Sequence, residues 1–470
     1  MRNETVQCRN AGRAGPPAMK VCLSILLILA AGTLPAALGQ ASTGSQADAA
    51  PAAGPQVITL DEAIHRAEAN EPQFAAALAD SKSAGLDRSI ARAGLLPSAV
   101  YHNQALYTQP NGQQNQAGQG VGSQPSPRFI ANNAVREYAS QATINETVGL
   151  ARLAGVRRAD AEAARATAEL EIARRGLAAA VTNLYYGVVA SDSKLAIAGR
   201  AHVEATDFTA LTGKREQARE SAHADVVKAQ LLEQQRERDL SDARVAAEKA
   251  RLELGALLFP DPRTQYAVTA ADANAPLAAR AEVEEAAGKN NPELKSALAA
   301  MSAGDADVLS ARAAYLPDLG MNVTYGIDAP QYAVNGPDHV RNLGYSASVT
   351  LDIPVWDWLS TEHKVKQSEI RRDAARVALT AAQRRLIAHL DEAYSEAEAA
   401  RDQLASLDAS VTTAAESLRL TKLRYAEGEA TVLEVVDAQT AFVTAENARE
   451  DGRTRYQAAR ADLQTLTGTR

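Results

Sequence analysis

The fold of this chain is decided at residues 423–439, LRYAEGEATVLEVVDAQ, where one glycine, Gly428, separates two long helical patterns. Before the glycine, apolar residues recur in alternating steps of three and four, the period of about 3.5 that marks a coiled-coil seam. They are Leu386, Leu390, Ala393, Ala397, Ala400, Leu404, Leu407, Val411, Ala414 and Leu418. A second apolar pattern begins after it with Leu433, Val436, Phe442 and Val443. We predict an antiparallel helical hairpin in which Gly428 adopts the left-handed conformation at the turn.

The composition favours long helices over several compact cores. Aromatic residues make up 4% of the 470-residue chain, which is low for ordinary globular domains. The formal net charge is -8, and the lysines and arginines are scattered among acids without a basic stripe. This pattern is typical of solvated helix surfaces and argues against nucleic acid as a partner.

The first residues have the order of a secretory signal. Lys20 precedes an apolar run at residues 21–31, and the small-residue stretch LPAALGQA follows at 34–41. The run is too short to span a bilayer, so we expect residues 1–39 to be a cleaved signal peptide. Met19 is a better candidate start than the first methionine.

The segment after the signal contains little to bury. Residues 40–56 are rich in alanine, glycine, serine and proline, and we expect a flexible mature N-terminus there. Both cysteines, Cys8 and Cys22, precede it, so the sequence predicts no thiol, disulfide or cysteine metal site in the mature chain.

The second half of the chain repeats the first. Motifs recur at offsets of 220 residues before the strands and 209 residues at the bends. The matched pairs are NEPQF (70–74) with NNPEL (290–294), ARAGLLP (91–97) with ARAAYLP (311–317), and DVVKAQ (225–230) with EVVDAQ (434–439). We predict two structural repeats, residues 57–279 and 280–470, each ordered short helix, helix, strand, strand, long helix, helix.

Two strands are predicted in each repeat, at about residues 97–108 and 135–149 and at about 317–328 and 343–356. In the second pair, apolar residues alternate with small or polar ones. One such hairpin is equally typical of a transmembrane barrel and of a soluble sandwich.

The helices decide between these alternatives. Helices predicted at about residues 150–214 and 360–425 would each be ~95 to 100 Å long, which exceeds an ordinary globular domain. The helices at about 222–258 and 430–467 are shorter. Together with the helix before each strand pair, they can stack end to end along the long helices. Each half is then a helical rod with a β-hairpin at one end and a bend at the other.

This order of elements resembles the outer-membrane efflux protein (TolC) family. The resemblance is carried by ITLDEAI, NEPQF and ARAGLLPS in one half and by NPELKSA, ARAAYLPDL, LDIPVWD and RYAEGEATVLEVVDAQ in the other. It implies an α+β membrane protein, a homotrimer in which four strands per chain form one 12-stranded transmembrane β-barrel above an α-helical tunnel. From the residues alone, four strands cannot close a barrel, so open edges require other copies of the chain.

The resemblance also implies acidic residues around a constricted tunnel entrance at the bends. On the matched motif these are Glu434 and Asp437, with Asp225 the counterpart of Glu434 in the first half. Rings of carboxylates bind cations and select against anions. Each acid is equally typical of a first helical turn, where it compensates the helix dipole. Tyr425 and Arg424 match a pair whose inter-helix hydrogen bonds hold the entrance shut.

The first-half bend departs from the second at two positions. Arg219 replaces Gly428, which leaves the turn geometry open, and Lys228 replaces Asp437, which would partly neutralise an acidic ring. Gly428 and Arg219 mark the two bends as candidate docking sites for a periplasmic adaptor.

A metal enzyme is one alternative, and the histidines do not favour it. They are dispersed without the spacing of a metal site, so we expect no catalytic residue, metal or cofactor. They are His65, His102, His202, His223, His339, His363 and His389.

The other alternative is a structural periplasmic coiled-coil or adaptor protein without a channel. It does not explain the alternating strands or the aromatic residues near their ends, which a membrane interface favours. These are Trp356, Trp358, Tyr325 and Tyr345. We therefore expect a passive exit duct in the outer membrane of a Gram-negative bacterium, with a large periplasmic portion. Its partners would be outer-membrane lipid, a periplasmic adaptor and an inner-membrane transporter for efflux or type I secretion.

Overall fold

The computed structural model describes residues 56–107, 136–269, 276–329, 331–336 and 341–468. The predicted signal peptide, residues 1–39, lies outside the described residues, and so does the expected flexible segment except for Gln56.

Two helices, two strands and two further helices follow one another in the same order in both halves, and the first half has two additional short strands. In the first half the elements are β1 (Gln56–Ile58), α1 (Leu60–Asn70), α2 (Pro72–Ala93), β2 (Ser98–Tyr107), β3 (Arg136–Val148), α3 (Leu150–Gln217), α4 (His223–Leu258) and β4 (Tyr266–Val268). In the second half they are α5 (Arg280–Asn290), α6 (Pro292–Ala313), β5 (Asp318–Ala329), β6 (Leu343–Asp352), α7 (Ser360–Ala426) and α8 (Val432–Thr467).

Two long helices set the dimensions of the helical part. α3 and α7 contain 68 and 67 residues, which corresponds to ~100 Å each at ~1.5 Å per residue. α2 and α4 both pack along α3, α6 and α8 both pack along α7, and α3 also packs against α6 and α8 of the other half. Among the residues that the structure describes, no helix is apolar over enough of its length to cross a membrane.

Local signals fix the helix ends. Pro72 and Pro292 occupy the first turns of α2 and α6, where the missing N–H leaves no bond unmade. Thr59 caps α1 by accepting a hydrogen bond from Glu62 N at 3.3 Å. The Glu62 carboxylate accepts from Arg66 Nε at 2.7 Å, one turn further on. Thr59 and Glu62 have the spacing of a capping box, of which only the hydrogen bond to the Thr59 side chain is formed.

The predicted seam of α7 is the side of the helix with low exposure. Each of its ten residues, from Leu386 to Leu418, is buried or half-buried. Gly452 of α8 packs against Leu407, and a β-carbon at Gly452 would overlap that side chain. The first turns of α8 differ from the expected pattern, because Leu433 is exposed while Val432 and Val435 are buried. The helix begins at Val432, which shifts the buried stripe by one residue.

The four longer strands form one antiparallel sheet in the order β2, β3, β5, β6. The pairing of β3 with β5 joins the two halves. On one face, apolar residues pair across β5 and β6: Leu319 with Leu351, Met321 with Val349, Val323 with Ala347, and Tyr325 with Tyr345. On the other face, small and polar residues pair: Gly320 with Thr350, Asn322 with Ser348, Thr324 with Ser346, and Gly326 with Gly344. The register thus separates an apolar face from a polar face.

A second, smaller sheet was not predicted from the sequence. β1 and β4 pair in parallel over three residues each. Tyr185 of α3 is fully buried beneath them. Its hydroxyl can donate to Thr269 O (2.8 Å) or Ile58 O (3.0 Å), and it accepts from Thr269 N at 3.0 Å. One side chain therefore ties both short strands to the long helix.

Removing this hydroxyl leaves buried backbone groups without a partner. We expect Tyr185→Phe to lower the free energy of unfolding by about 1–3 kcal/mol. Denaturant unfolding in detergent, followed by far-ultraviolet circular dichroism, measures the change. Tyr186→Phe is the matched control, because the Tyr186 hydroxyl makes no hydrogen bond within the described residues. Equal effects of the two substitutions would contradict the assigned role of Tyr185.

Candidate functional site

Each long hairpin turns at a bend that ends its long helix. In the second bend, residues 424–434, Gly428 is left-handed with a φ of 80°. Its N–H donates to Tyr425 O at 3.1 Å, and Glu429 N–H donates to Arg424 O at 2.8 Å. This pair of hydrogen bonds is the Schellman motif, which satisfies carbonyl groups at the end of α7.

The first bend, residues 215–225, forms the same turn without a glycine. Arg219 is left-handed with a φ of 62°. Its N–H donates to Glu216 O, and Glu220 N–H donates to Arg215 O, both at 2.8 Å. The geometry that the sequence left open is therefore equivalent in the two halves. A side chain in this conformation costs about 1–2 kcal/mol, so Arg219 makes the first bend the more strained.

Glu434 is bonded within its own bend. Thr431 N donates to Glu434 Oε1 at 3.1 Å, and Glu434 N donates to Thr431 Oγ1 at 3.3 Å, which completes a capping box. Arg424 Nη1 lies 3.4 Å from Glu434 Oε2. The hydrogen bonds from Thr431, with a smaller effect of Arg424, hold the pKa of Glu434 below its ordinary value. The charged form therefore stabilises the bend at neutral pH, and this stabilisation is lost as the pH falls through the lowered pKa.

The other sequence-predicted acids have fewer partners. Asp225 occupies the same position in the first turn of α4, where Ser221 Oγ donates to Asp225 Oδ2 at 3.3 Å. Asp437 and Lys228 lie one turn further along their helices and are exposed. Among the described residues, neither makes a hydrogen bond or ion pair. Asp437 thus presents the freest carboxylate of the three candidates.

A cavity of about 360 Å³ lies between the two bends. Asp225 and Lys228 line it from the first bend, and Gly428 and Thr431 line it from the second. Glu434 and Asp437 are outside this lining. The structure therefore brings the two bends together around this cavity, and of the three acids only Asp225 lines it.

Tyr425 connects the second bend to the long helix of the first half. Its buried ring lies 5.3 Å from the Phe208 ring, centroid to centroid, and its hydroxyl lies 3.4 Å from Thr212 Oγ1. The Arg215 guanidinium carbon lies 4.8 Å from the centre of the Tyr425 ring. Arg215 also donates to two carbonyls at the end of α7, Tyr425 O at 2.5 Å and Ala426 O at 3.3 Å. Together these contacts clamp the two halves at the bends.

Arg424 does not share this role. Its guanidinium donates to Glu429 O at 3.0 Å and to Glu434, both in its own bend. The 209-residue offset places Arg215 at the position equivalent to Arg424. Equivalent arginines therefore act differently: Arg215 joins the halves, and Arg424 stabilises its own turn. Phe208, Thr212 and Arg215 were not predicted from the sequence, although the 209-residue offset pairs Arg215 with Arg424.

Polar contacts continue along the junction of the two halves. Lys194 Nζ lies 2.5 Å from Asp451 Oδ1. Arg200 donates to Glu446 and Lys422 to Glu204, each at 2.8 Å. Since these pairs join α3 to α8 and to the end of α7, they hold the halves in register.

The predicted interface aromatics lie at two levels of the sheet. Tyr325 and Tyr345 pair directly on the apolar face, away from the helices. Trp356 and Trp358 follow β6 at the helical end, 70% and 84% exposed, with ring centres 5.8 Å apart. This places exposed aromatic side chains towards both ends of the apolar face.

In the part of the chain that the structure describes, no group of three or more histidine, cysteine, aspartate or glutamate side chains is placed so that it could hold a metal ion.

Comparison with known proteins agrees with this architecture. The family described as outer membrane efflux protein matches residues 283–469. This match covers nearly all of the second half of the chain. It is 26% identical over 175 residues to outer membrane protein OprJ of Pseudomonas aeruginosa, covering 37% of this chain and 36% of OprJ. It is 30% identical over 164 residues to outer membrane protein TolC of Vibrio cholerae, covering 34% and 36% of the two chains. These matches span well under half the length of either relative.

The fold extends over most of the chain. The outer membrane protein VceC from Vibrio cholerae superposes with a TM-score of 0.73 at 16% identity, covering 87% of this chain and 96% of VceC. The predicted fold class, long helical hairpins with a four-stranded sheet in duplicated halves, is confirmed. OprJ and TolC are named as outer membrane proteins.

The two bends allow a matched test of backbone strain. We expect Gly428→Ala to destabilise the second bend by about 1–2 kcal/mol, because alanine must adopt the left-handed conformation. Arg219→Gly should relieve the same strain and stabilise the first bend by up to about 1 kcal/mol, less any loss from glycine's flexibility. Thermal unfolding in detergent measures both changes. Shifts of the same sign would contradict the equivalence of the turns.

The arginine clamp predicts a further difference. We expect Arg215→Ala to increase amide hydrogen exchange across residues 424–431 by about tenfold or more, because charged hydrogen bonds of about 1.5–3 kcal/mol are lost. Arg424→Ala is the control, since it should loosen its own bend and leave protection of residues 205–212 unchanged. If Arg215→Ala left amide exchange at residues 424–431 unchanged, whatever Arg424→Ala did to residues 205–212, Arg215 would not be the clamp.

Proposed function

We propose that three copies of this chain form a passive exit duct across the outer membrane and the periplasm. The observation that carries the proposal is the sheet, which has one apolar and one polar face and continues into helices of ~100 Å. Lipid would contact the apolar face, and the polar face would line a water-filled pore.

The length of the apolar face suits a membrane. On β5, apolar residues at alternate positions run from Leu319 to Ile327, nine residues that would span ~26 Å along the strand. A tilted transmembrane strand contains about 9–11 residues. The paired tyrosines at one end and the two tryptophans at the other match the aromatic girdles expected at the two interfaces.

Closure of the pore requires more than one chain. β2 and β6 lie at the edges of the sheet, and neither pairs with the other within the described residues. In lipid each unpaired backbone group would cost several kcal/mol, so we place β2 of one copy against β6 of the next. Three copies would give 12 strands, a number that rests on the family.

The bends lie at the opposite end from the sheet, and we place the tunnel entrance there. A periplasmic adaptor would dock on them and connect the duct to an inner-membrane transporter. The cavity between the bends, with residues from both halves, supplies a recess for such a partner. Its mixed lining of Asp225 and Lys228 favours a polar partner surface.

Symmetry would repeat each entrance carboxylate three times. Asp437 has no partner within the described residues, whereas Glu434 is shared between Thr431 and Arg424. We therefore assign cation attraction mainly to Asp437 and maintenance of the turn mainly to Glu434. The positive charge of Lys228 would weaken this attraction of cations.

Single-channel recording in planar bilayers tests the assignment. We expect Asp437→Ala to weaken block by multivalent cations at least about fivefold, with a smaller effect for Glu434→Ala. Lys228→Ala should strengthen the block. Asp242→Ala is the charge control, since Asp242 is an exposed carboxylate on α4 distant from the bend.

The outcomes separate the entrance from the channel itself. Block that is unchanged in Asp437→Ala, or changed equally in Asp242→Ala, would remove Asp437 from the entrance. A protein that fractionates with the soluble periplasm and forms no conducting pore would instead favour a structural coiled-coil protein.

A further inference from the structure

We propose that Gln439, near the start of α8, binds a buried water molecule that bridges the two halves of the chain between α3, α4 and α8. The site is built within one chain. The inference therefore goes beyond the proposed duct and does not depend on how many copies assemble.

Gln439 is a buried polar side chain without a partner. The residue is 5% exposed, and neither Nε2 nor Oε1 of its side-chain amide makes a hydrogen bond among the described residues. Buried polar groups in native proteins are normally bonded to protein or to ordered water, because an unpaired one has lost its hydration without compensation. Since its own chain already covers Gln439, a neighbouring copy cannot supply the missing partner. A small bound molecule can.

The Gln439 side chain borders a small cavity that both halves line. Arg200 and Glu204 of α3 and Arg236 of α4 line it from the first half, and Glu446 of α8 lines it from the second. The cavity offers about 10 Å³ to the centre of a water molecule, which is close to the minimum for holding one. It is therefore large enough for one water and too small for an organic ligand.

The charged side chains around the cavity are bonded elsewhere. Arg200 Nη2 donates to Glu446 Oε1 at 2.8 Å, and Arg236 Nη2 donates to Thr440 Oγ1 at 3.0 Å. Arg236 and Glu446 are each 8% exposed, so these bonds fix them as part of the buried wall. They surround the Gln439 amide without bonding it directly, which is the arrangement that a bridging molecule completes.

Water is the occupant that this chemistry fits. A water molecule both donates and accepts hydrogen bonds, so it can bond either end of the Gln439 amide together with an arginine or a carboxylate. The four charged side chains of the lining, two arginines and two glutamates, sum to zero. Neither a cation nor an anion therefore gains a net attraction there.

The position of the site suits a contact between the halves. On α3, the cavity residues fall between Lys194, which pairs with Asp451, and Phe208, which packs against Tyr425. The bound water would thus continue the polar contacts along this junction.

Only one of the two repeats has this environment. The 209-residue offset pairs Gln439 with Gln230 of α4, which is exposed. The same glutamine therefore faces the cavity in one half and the surface of the chain in the other.

A high-resolution crystal structure of the full chain in detergent tests the site directly. We expect an ordered water within about 3.2 Å of the Gln439 amide and of a charged side chain from the first half. In the Gln439→Met variant this water should be absent.

Thermal unfolding of Gln439→Met in detergent gives an independent test, because the sign of the change depends on the occupant. Methionine has nearly the length of glutamine but no amide. If water bonds the amide, the substitution leaves the water and the charged wall short of a partner, and the unfolding midpoint should fall by about 2 °C or more. If the cavity is dry, removal of an unpaired amide should raise the midpoint instead.

Gln230→Met is the matched control, since it makes the same chemical change at an exposed position of the other repeat. Its midpoint should stay within about 1 °C of the unmodified chain. No electron density beside Gln439, a metal ion in place of water, or a midpoint raised by Gln439→Met would each overturn the proposal. An equal fall in both variants would also overturn it, because the effect would not come from the cavity. Neither measurement requires a conducting channel, so failure here leaves the proposed function untouched.

Discussion

The unpaired outer edges of β2 and β6 are the constraint on which the rest of the structure depends. A sheet of four strands with one apolar face cannot bury its edges by itself, and lipid supplies no hydrogen bonds to them. Under the proposed function, other copies of the chain complete the sheet. The pairing of β3 with β5 fixes the two halves relative to each other at this end. The long helices carry that relative position over ~100 Å to the bends.

At the bends, two equivalent turns have acquired different roles. Both end their long helices with the same pair of backbone hydrogen bonds, one around Gly428 and the other around Arg219. The contacts that join the halves are unequal, because Arg215 reaches across to α7 whereas Arg424 remains in its own turn. The duplicated halves thus contain the same turn, and differences between their side chains let the first turn also join the two halves through Arg215. The same divergence occurs at the other end, where residues 353–359 connect β6 to α7 and Gly149 alone connects β3 to α3.

The elements predicted from the sequence are those encoded by local pattern. The seam of α7, the left-handed Gly428 and the alternating strands each follow from spacing within one segment. The small sheet of β1 and β4 was not predicted, because three-residue strands carry no pattern and depend on a distant tyrosine. The contact between Arg215 and the end of α7 could not be predicted from a local pattern either. The capping box of Thr431 and Glu434 could have been predicted, since its residues stand at the diagnostic spacing.

Disulfide cross-linking between the edge strands tests the closure of the sheet by other copies most directly. β2 and β6 of one chain are separated by two strands, or ~14 Å, too far for a disulfide. In a chain with Cys8 and Cys22 replaced by serine, Ala99→Cys on β2 is combined in turn with one cysteine on β6: Tyr345→Cys, Ala347→Cys or Val349→Cys. The account predicts that at least one combination gives covalent dimers and trimers and no larger product. Monomers alone in every combination would contradict it.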